Sequence, residues 1–142
     1  MDIHSTSVEE TRRAGARLAA SAKAGDIYAL IGELGTGKTE FVRGFVASLC
    51  AGCAVRSPTF TLVNIYDTPA YPVYHFDFYR LKKAEELIEI GFHEYVQGDG
   101  VCFIEWADMF PEAIPSAVQQ IRFTDMGNGQ RLIMFDKKAG GT

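Results

Sequence analysis

From Gly32 the chain reads Gly-Glu-Leu-Gly-Thr-Gly-Lys-Thr, so a glycine is followed after four residues by Gly37-Lys38-Thr39. This is the G-x-x-x-x-G-K-[ST] spacing of a phosphate loop. A backbone that wraps a phosphate must present its N–H groups without side chains in the way, which Gly35 and Gly37 permit. Lys38 brings a cation to the terminal phosphates and Thr39 a hydroxyl to magnesium. Glu33, Leu34, Thr36 and Glu40 complete the stretch expected to line a bound nucleotide.

Binding alone is not hydrolysis, which needs a carboxylate near the metal and the attacking water. Glu105 is the first candidate. It follows Val101-Cys102-Phe103-Ile104, four apolar residues, and a carboxylate there needs a cation or donor close by. Asp77 is the second, in the aromatic stretch Val73 to Tyr79. Magnesium would satisfy its charge, and so would Arg80 or a solvent-facing edge; local patterning leaves both open. Glu105, Asp77 and Thr39 form the expected metal set, and Lys38, Asp77 and Glu105 the expected catalytic set. His75 reads as a packed histidine. Thr59 and Thr61 offer hydroxyls to a phosphate or metal, or are simply good strand residues. Trp106, the single tryptophan, is placed to cover the site or an interface.

Several elements must position these groups. Ile27 to Ile31 is an apolar run that reads as a strand entering the loop. Beyond it, Phe41, Val42, Phe45, Val46 and Leu49 recur at helical spacing. Upstream, Ser7 and Glu10 read as a capping box, opening a helix whose stripe is Val8, Thr11, Ala14, Leu18 and Ala22 and which stops at Gly25. Ser57 to Tyr66 and Val73 to Tyr79 have strand patterning, Lys82 to Ile90 that of a short helix ended by Gly91. Val101 to Trp106 reads as a strand buried on both faces. Val118 to Phe123 and Arg131 to Phe135 flank Met-Gly-Asn-Gly-Gln, a hairpin signal. The sum is a phosphate-loop α/β fold over residues 1–142, with a mostly parallel central sheet, antiparallel hairpin additions and flanking helices. The tail Lys-Lys-Ala-Gly-Gly-Thr is expected to fray.

Composition narrows the function classes. The 142 residues are 47% hydrophobic and 23% charged, ordinary for a soluble globular domain. Fourteen basic against 18 acidic residues give a net charge of −4, unsuited to gripping nucleic acid by its phosphates. No apolar stretch approaches a membrane span, and the N-terminus lacks the apolar core of a signal peptide, so a cytoplasmic location is expected. Three cysteines fit a reducing compartment. Cys50 and Cys53 form a lone C-x-x-C without a partner pair, and Cys102 reads as a small core residue.

Five segments in order, GDIYALIGELGTGKTEFVRGF, SPTFTLVNIY, YHFDFYRL, EELIEIGFHEY and CFIEW, together resemble the TsaE family. The resemblance runs from about Ser7 to Trp106, and the last three segments make it specific. It implies a small ATPase needed for the tRNA modification N6-threonylcarbamoyladenosine, with ATP and Mg2+ as cofactors and the TsaB–TsaD heterodimer as partner. TsaD would carry out the transfer to adenosine 37, and tRNA would be met mainly through the partners. The resemblance also implies the phosphate-loop roles of Lys38 and Thr39, functional roles for Asp77 and Glu105, and a switch-like stretch at Thr59. Phe78 and Ala107 stand where leucine and proline are common, and nothing carries over after Pro111. Two other readings share the phosphate loop: a small-molecule kinase, and a nucleotide-gated binding module with slow hydrolysis.

Overall fold

The computed structural model describes residues 2–33, 35–53, 55–56 and 62–136. Among the described residues eight strands form one sheet: β1 (Asp2–Ser5), β2 (Ile27–Ile31), β3 (Val55–Arg56), β4 (Val63–Asp67), β5 (Pro72–Asp77), β6 (Val101–Glu105), β7 (Gln119–Gly127) and β8 (Gln130–Asp136). Their order is β1-β8-β7-β2-β6-β5-β4-β3. The four central strands β7, β2, β6 and β5 run parallel, and the flanks β1-β8-β7 and β5-β4-β3 are antiparallel. The helices are α1 (Val8–Ser21), α2 (Lys38–Leu49), α3 (Glu85–Glu89) and α4 (Phe92–Gln97).

Period-two alternation sorts the parallel strands between two cores. Tyr28, Leu30, Val73, Val101 and Phe103 point to the side where α1 and α2 pack. Ala29, Phe76, Cys102 and Ile104 point to the side of α3 and α4. Phe103 shows how tightly the first side closes: it stacks on Tyr28 with ring centroids 5.3 Å apart and meets Phe45 edge-on at 4.9 Å. Its full burial is worth about 1.5–3 kcal/mol. The same alternation carries His75, Asp77 and Glu105 onto the α1/α2 side, two residues apart on each strand.

Helices α1 and α2 cross at backbone contact. A Cβ on Gly15 would stand 2.0 Å from the carbonyl oxygen of Phe41, and one on Gly44 1.9 Å from that of Arg12. Only glycine permits this approach, and it sets the start of α1 beside the start of α2. Ser7 caps α1 by accepting from the Glu10 N–H, as the capping box predicts, but the Glu10 carboxylate reaches one residue farther back and accepts from the N–H and hydroxyl of Thr6.

Several boundaries depart from the sequence reading. The strand expected from Val73 to Tyr79 stops at Asp77, whose side chain caps a 3-10 turn at Phe78–Arg80. The helix expected over Lys82 to Ile90 is shorter, and Gly91, with φ of 75°, starts a second helix, α4. In α1 the buried stripe is Thr11, Ala14, Gly15 and Ala19, while Val8 is 49% exposed. Strand β1 had no signal of its own: four residues paired to β8, at the far end of the chain. The expected strand from Ser57 to Tyr66 is described from Leu62 onward, with β4 beginning at Val63.

Candidate active site

Strand β2 ends at Ile31 and α2 begins at Lys38, so residues 32–37 join a buried parallel strand to a helix at the carboxyl edge of the sheet. Gly37 is the residue before the helix, with φ of 96°, a left-handed conformation that glycine adopts without strain. It brings no capping side chain, so the first-turn N–H groups of α2 receive no side-chain acceptor from the cap position. Those donors and the positive end of the helix dipole favour an anion. They open onto a cleft of about 490 Å³, walled by the loop, the start of α1 and the β7–β8 turn.

Lys38 lies at the centre of the site and is only 4% exposed. Its ammonium donates to the carbonyl oxygen of Gly32, stands 4.6 Å above the Trp106 ring, and is 4.0 Å from Oε1 of Glu105. Burial lowers its pKa below the ordinary lysine value, against the opposing pull of Glu105, Asp77 and Asp108. The Trp106 ring thus lies over the Lys38 ammonium.

Glu105 ends β6 level with Leu30 of β2 and Asp77 of β5. Nε2 of His75 and Oε2 of Glu105 are 2.5 Å apart; since an ionised carboxylate only accepts, the imidazole donates. Burial raises the Glu105 pKa, but hydrogen bonding to His75 and the charges of His75 and Lys38, with a further hydrogen bond from Thr39, outweigh it. The net value lies below the ordinary one. Glu105 is thus held as an anion with cationic and donor groups around it.

Asp77 is 37% exposed and is satisfied in the way the Arg80 or solvent-facing reading allowed. One oxygen accepts from the Tyr79 N–H at 3.1 Å, the other lies 3.4 Å from Nε of Arg80. It also borders a polar recess of about 200 Å³ with Thr39, His75 and Glu105. The structure thus brings Lys38, Thr39, Asp77 and Glu105 together. Gly35 and Gly37 line the cleft, and the Thr36 hydroxyl braces the loop by donating to the Glu33 carbonyl at 2.7 Å. Glu40 lines the cleft too, while its carboxylate bridges Arg12 and Arg43 at 2.7 and 3.0 Å, tying α2 to α1. Leu34, Thr59 and Thr61 lie outside the described residues. Cys50 and Cys53 are free thiols at the end of α2, and Cys102 is buried.

Two site residues escaped the sequence reading. His75 is a Glu105 partner rather than mere packing, and the available signal was its shared strand parity with Asp77 and Glu105. Arg131, in the region where no function was assigned, donates from Nη2 to the Gly35 carbonyl at 2.8 Å. No local pattern announces a contact across 96 residues of sequence.

The oxygen donors fit magnesium with a nucleotide. Among the described residues no three His, Cys, Asp or Glu side chains gather into a metal cage. A hydroxyl and two carboxylates beside an open cleft match an ion that keeps waters and takes its remaining ligands from phosphate.

A family model for threonylcarbamoyl adenosine biosynthesis protein TsaE matches residues 5–133. The chain belongs to the TsaE family. A relative from Bacillus subtilis, the tRNA threonylcarbamoyladenosine biosynthesis protein TsaE, is 41% identical over 127 residues, spanning 89% of this chain and 79% of its own. The TsaE protein of Rickettsia prowazekii is 35% identical over 133 residues, 93% of this chain and 92% of its own. Among solved structures, that of Bacillus subtilis YdiB superposes with a TM-score of 0.81 at 34% identity, covering 99% of this chain and 86% of that one. The TsaE match extends past Pro111 into the β7–β8 hairpin, farther than the sequence segments alone carried the resemblance. Among the described residues no helix is long and apolar enough to cross a membrane.

Proposed function

We propose that this chain is the ATP-binding and ATP-hydrolysing member of a tRNA N6-threonylcarbamoyladenosine system, acting with a TsaB–TsaD heterodimer. The observation that carries the nucleotide part is the uncapped start of α2 facing a cleft, with a buried Lys38 and an ionised Glu105 at its floor. Membership of TsaE and the names of its relatives support the pathway.

In this reading the N–H groups of the loop and first turn of α2 hold the phosphates. Lys38 exchanges the Gly32 carbonyl for a phosphate oxygen, which gives its desolvated charge a full counter-ion. Thr39, Glu105 and Asp77 would hold magnesium, which would supply neutralisation of phosphate charge. His75 fixes one oxygen of Glu105, which leaves Oε1 turned towards Lys38. The Glu105 carboxyl, with its lowered pKa, serves better as a fixed negative charge that orients than as a proton store.

The net charge of −4 supports a division of labour in which the partners contact tRNA and this chain docks on them according to its nucleotide state. The deciding experiment measures phosphate release from ATP by the purified chain, alone and with TsaB–TsaD and tRNA. A rise on adding the partners is expected. No stimulation, or tight tRNA binding by the chain alone, would overturn the proposed roles, and a phosphorylated small-molecule acceptor would replace them with a kinase.

A further inference from the structure

The far end of α2 carries a pair of thiols that the nucleotide site does not use. Cys50 ends the helix, its N–H donating to the Val46 carbonyl at 2.9 Å. The chain turns back at once: Gly52 has a φ of 69°, and the Cys53 N–H donates to the Cys50 carbonyl at 3.2 Å. A turn of this kind holds its first and fourth Cα atoms within about 7 Å, close to the span of about 4.4–6.8 Å that a disulfide bridges. Both thiols are free and partly exposed. That of Cys53 donates to the carbonyl oxygen of Asp67, the last residue of β4, at 3.2 Å. Hydrogen bonding to Cys50 pushes the Cys53 thiol up to about 11, so Cys53 keeps its proton. The third cysteine provides a contrast: Cys102 is fully buried in the core on the other face of the sheet, out of reach of the pair.

We propose that Cys50 and Cys53 are an oxidation site, closing to an intramolecular disulfide when the chain meets hydrogen peroxide. The Cys50 thiolate attacks one peroxide oxygen and the O–O bond breaks. Cys50 becomes a sulfenic acid, and the departing hydroxide takes up the proton that Cys50 had lost. The Cys53 sulfur then forms the S–S bond, its own proton leaving with the sulfenic hydroxyl as water. Two electrons pass to the peroxide, so two thiols and one peroxide give one disulfide and two waters. The placement makes the pair a slow latch. Reactive C-x-x-C thiols are activated at a helix N-terminus, whereas this pair lies at the negative, C-terminal end of α2, which disfavours a thiolate. The bond is slow to open as well, because a leaving thiol of raised pKa departs slowly. Closure removes the hydrogen that Cys53 gives to Asp67 and ties the end of α2 to the chain entering β3. The nucleotide cleft lies at the other end of this 12-residue helix, about 18 Å away, so the inference does not rest on the nucleotide reading.

The test treats the reduced full chain with hydrogen peroxide, unfolds it, alkylates the remaining thiols with iodoacetamide and maps them by mass spectrometry. Only Cys102 should be alkylated, with Cys50 and Cys53 joined inside one monomer and both restored by dithiothreitol. The rate of closure should rise about tenfold between pH 6 and pH 7, following the thiolate fraction. Serine is close to cysteine in size, so Cys50→Ser and Cys53→Ser both keep the turn. In Cys53→Ser, dimedone should trap the sulfenic acid at Cys50; in Cys50→Ser, labelling of Cys53 should be lower by about tenfold or more. Thiols still free once glutathione in the same tube is fully oxidised would overturn the proposal. So would a disulfide between chains, sulfinic acid at either cysteine of the unmodified chain, a rate indifferent to pH, or equal labelling of the two variants.

Discussion

Replacing Glu105 with glutamine removes one charge and almost no volume, so its consequences follow from the contacts at that position. The carboxylate accepts from His75 at 2.5 Å, is hydrogen-bonded by Thr39 and faces Lys38 at 4.0 Å. At an effective dielectric of about 20 the Lys38 attraction is worth roughly 4 kcal/mol before the desolvation of both groups is subtracted. The amide can still accept one hydrogen bond through its oxygen, but its NH2 group must face either Lys38 or His75. One charge-assisted bond is therefore lost, a cost of about 1.5–3 kcal/mol. For a chain of this size that should lower Tm by about 5–10 °C in the ligand-free protein. Turnover should fall by about 10² or more, since the negative charge that organises metal and water is gone. ATP affinity should be retained, because Lys38, Thr39 and the start of α2 are intact. Differential scanning fluorimetry, a fluorescent-nucleotide titration and a phosphate-release assay with the partner proteins read these three quantities. Near-normal hydrolysis in the partner complex would refute the argument and leave Glu105 as a strand-terminal charge satisfied by His75.

Lys38→Ala should abolish hydrolysis and weaken ATP severely, because the ammonium is the cation buried against the cleft; a titration showing ATP affinity within about twofold of the original would refute its phosphate role. Asp77→Asn should lower turnover by about 10² while nucleotide still binds. Its Tyr79 cap can survive on the amide oxygen, so unaltered turnover would assign Asp77 to capping the Phe78–Arg80 turn and pairing with Arg80. The lowered pKa of Glu105 fixes the sign of an acid effect: its stabilising contribution is complete above the unfolded value of about 4.3 and disappears as pH falls through the lower folded value. The Tm difference between the unmodified chain and Glu105→Gln should therefore hold from pH 7 to about 5 and shrink below about 4. A gap that stayed constant to the lowest pH at which the chain folds would show that Glu105 is not held as an anion.

What the sequence alone determined here is local. The order Ile27-to-Ile31 strand, glycine loop, Lys38-to-Leu49 helix follows from period, turn chemistry and loop spacing within some twenty residues. So do the buried β6 strand with Glu105 at its end, the Ser7 cap and the Asn128-Gly129 hairpin turn. Tertiary structure decided whatever depends on which strands lie side by side. Pairing β5 with β6 in parallel register sets Asp77 level with Glu105 and brings His75 onto its carboxylate, and β1 exists because β8 supplies a partner for four residues with no patterning of their own. Val8 satisfies the helical period yet lines the cleft, because the Gly15 and Gly44 contacts set the face that α1 turns to α2. Arg131 reaches Gly35 only because hairpin β7–β8 docks on β2. Periodicity reports which face of an element is apolar; the identity of the neighbour across that face is a long-range choice made by packing, and the chemistry of this site depends on that choice.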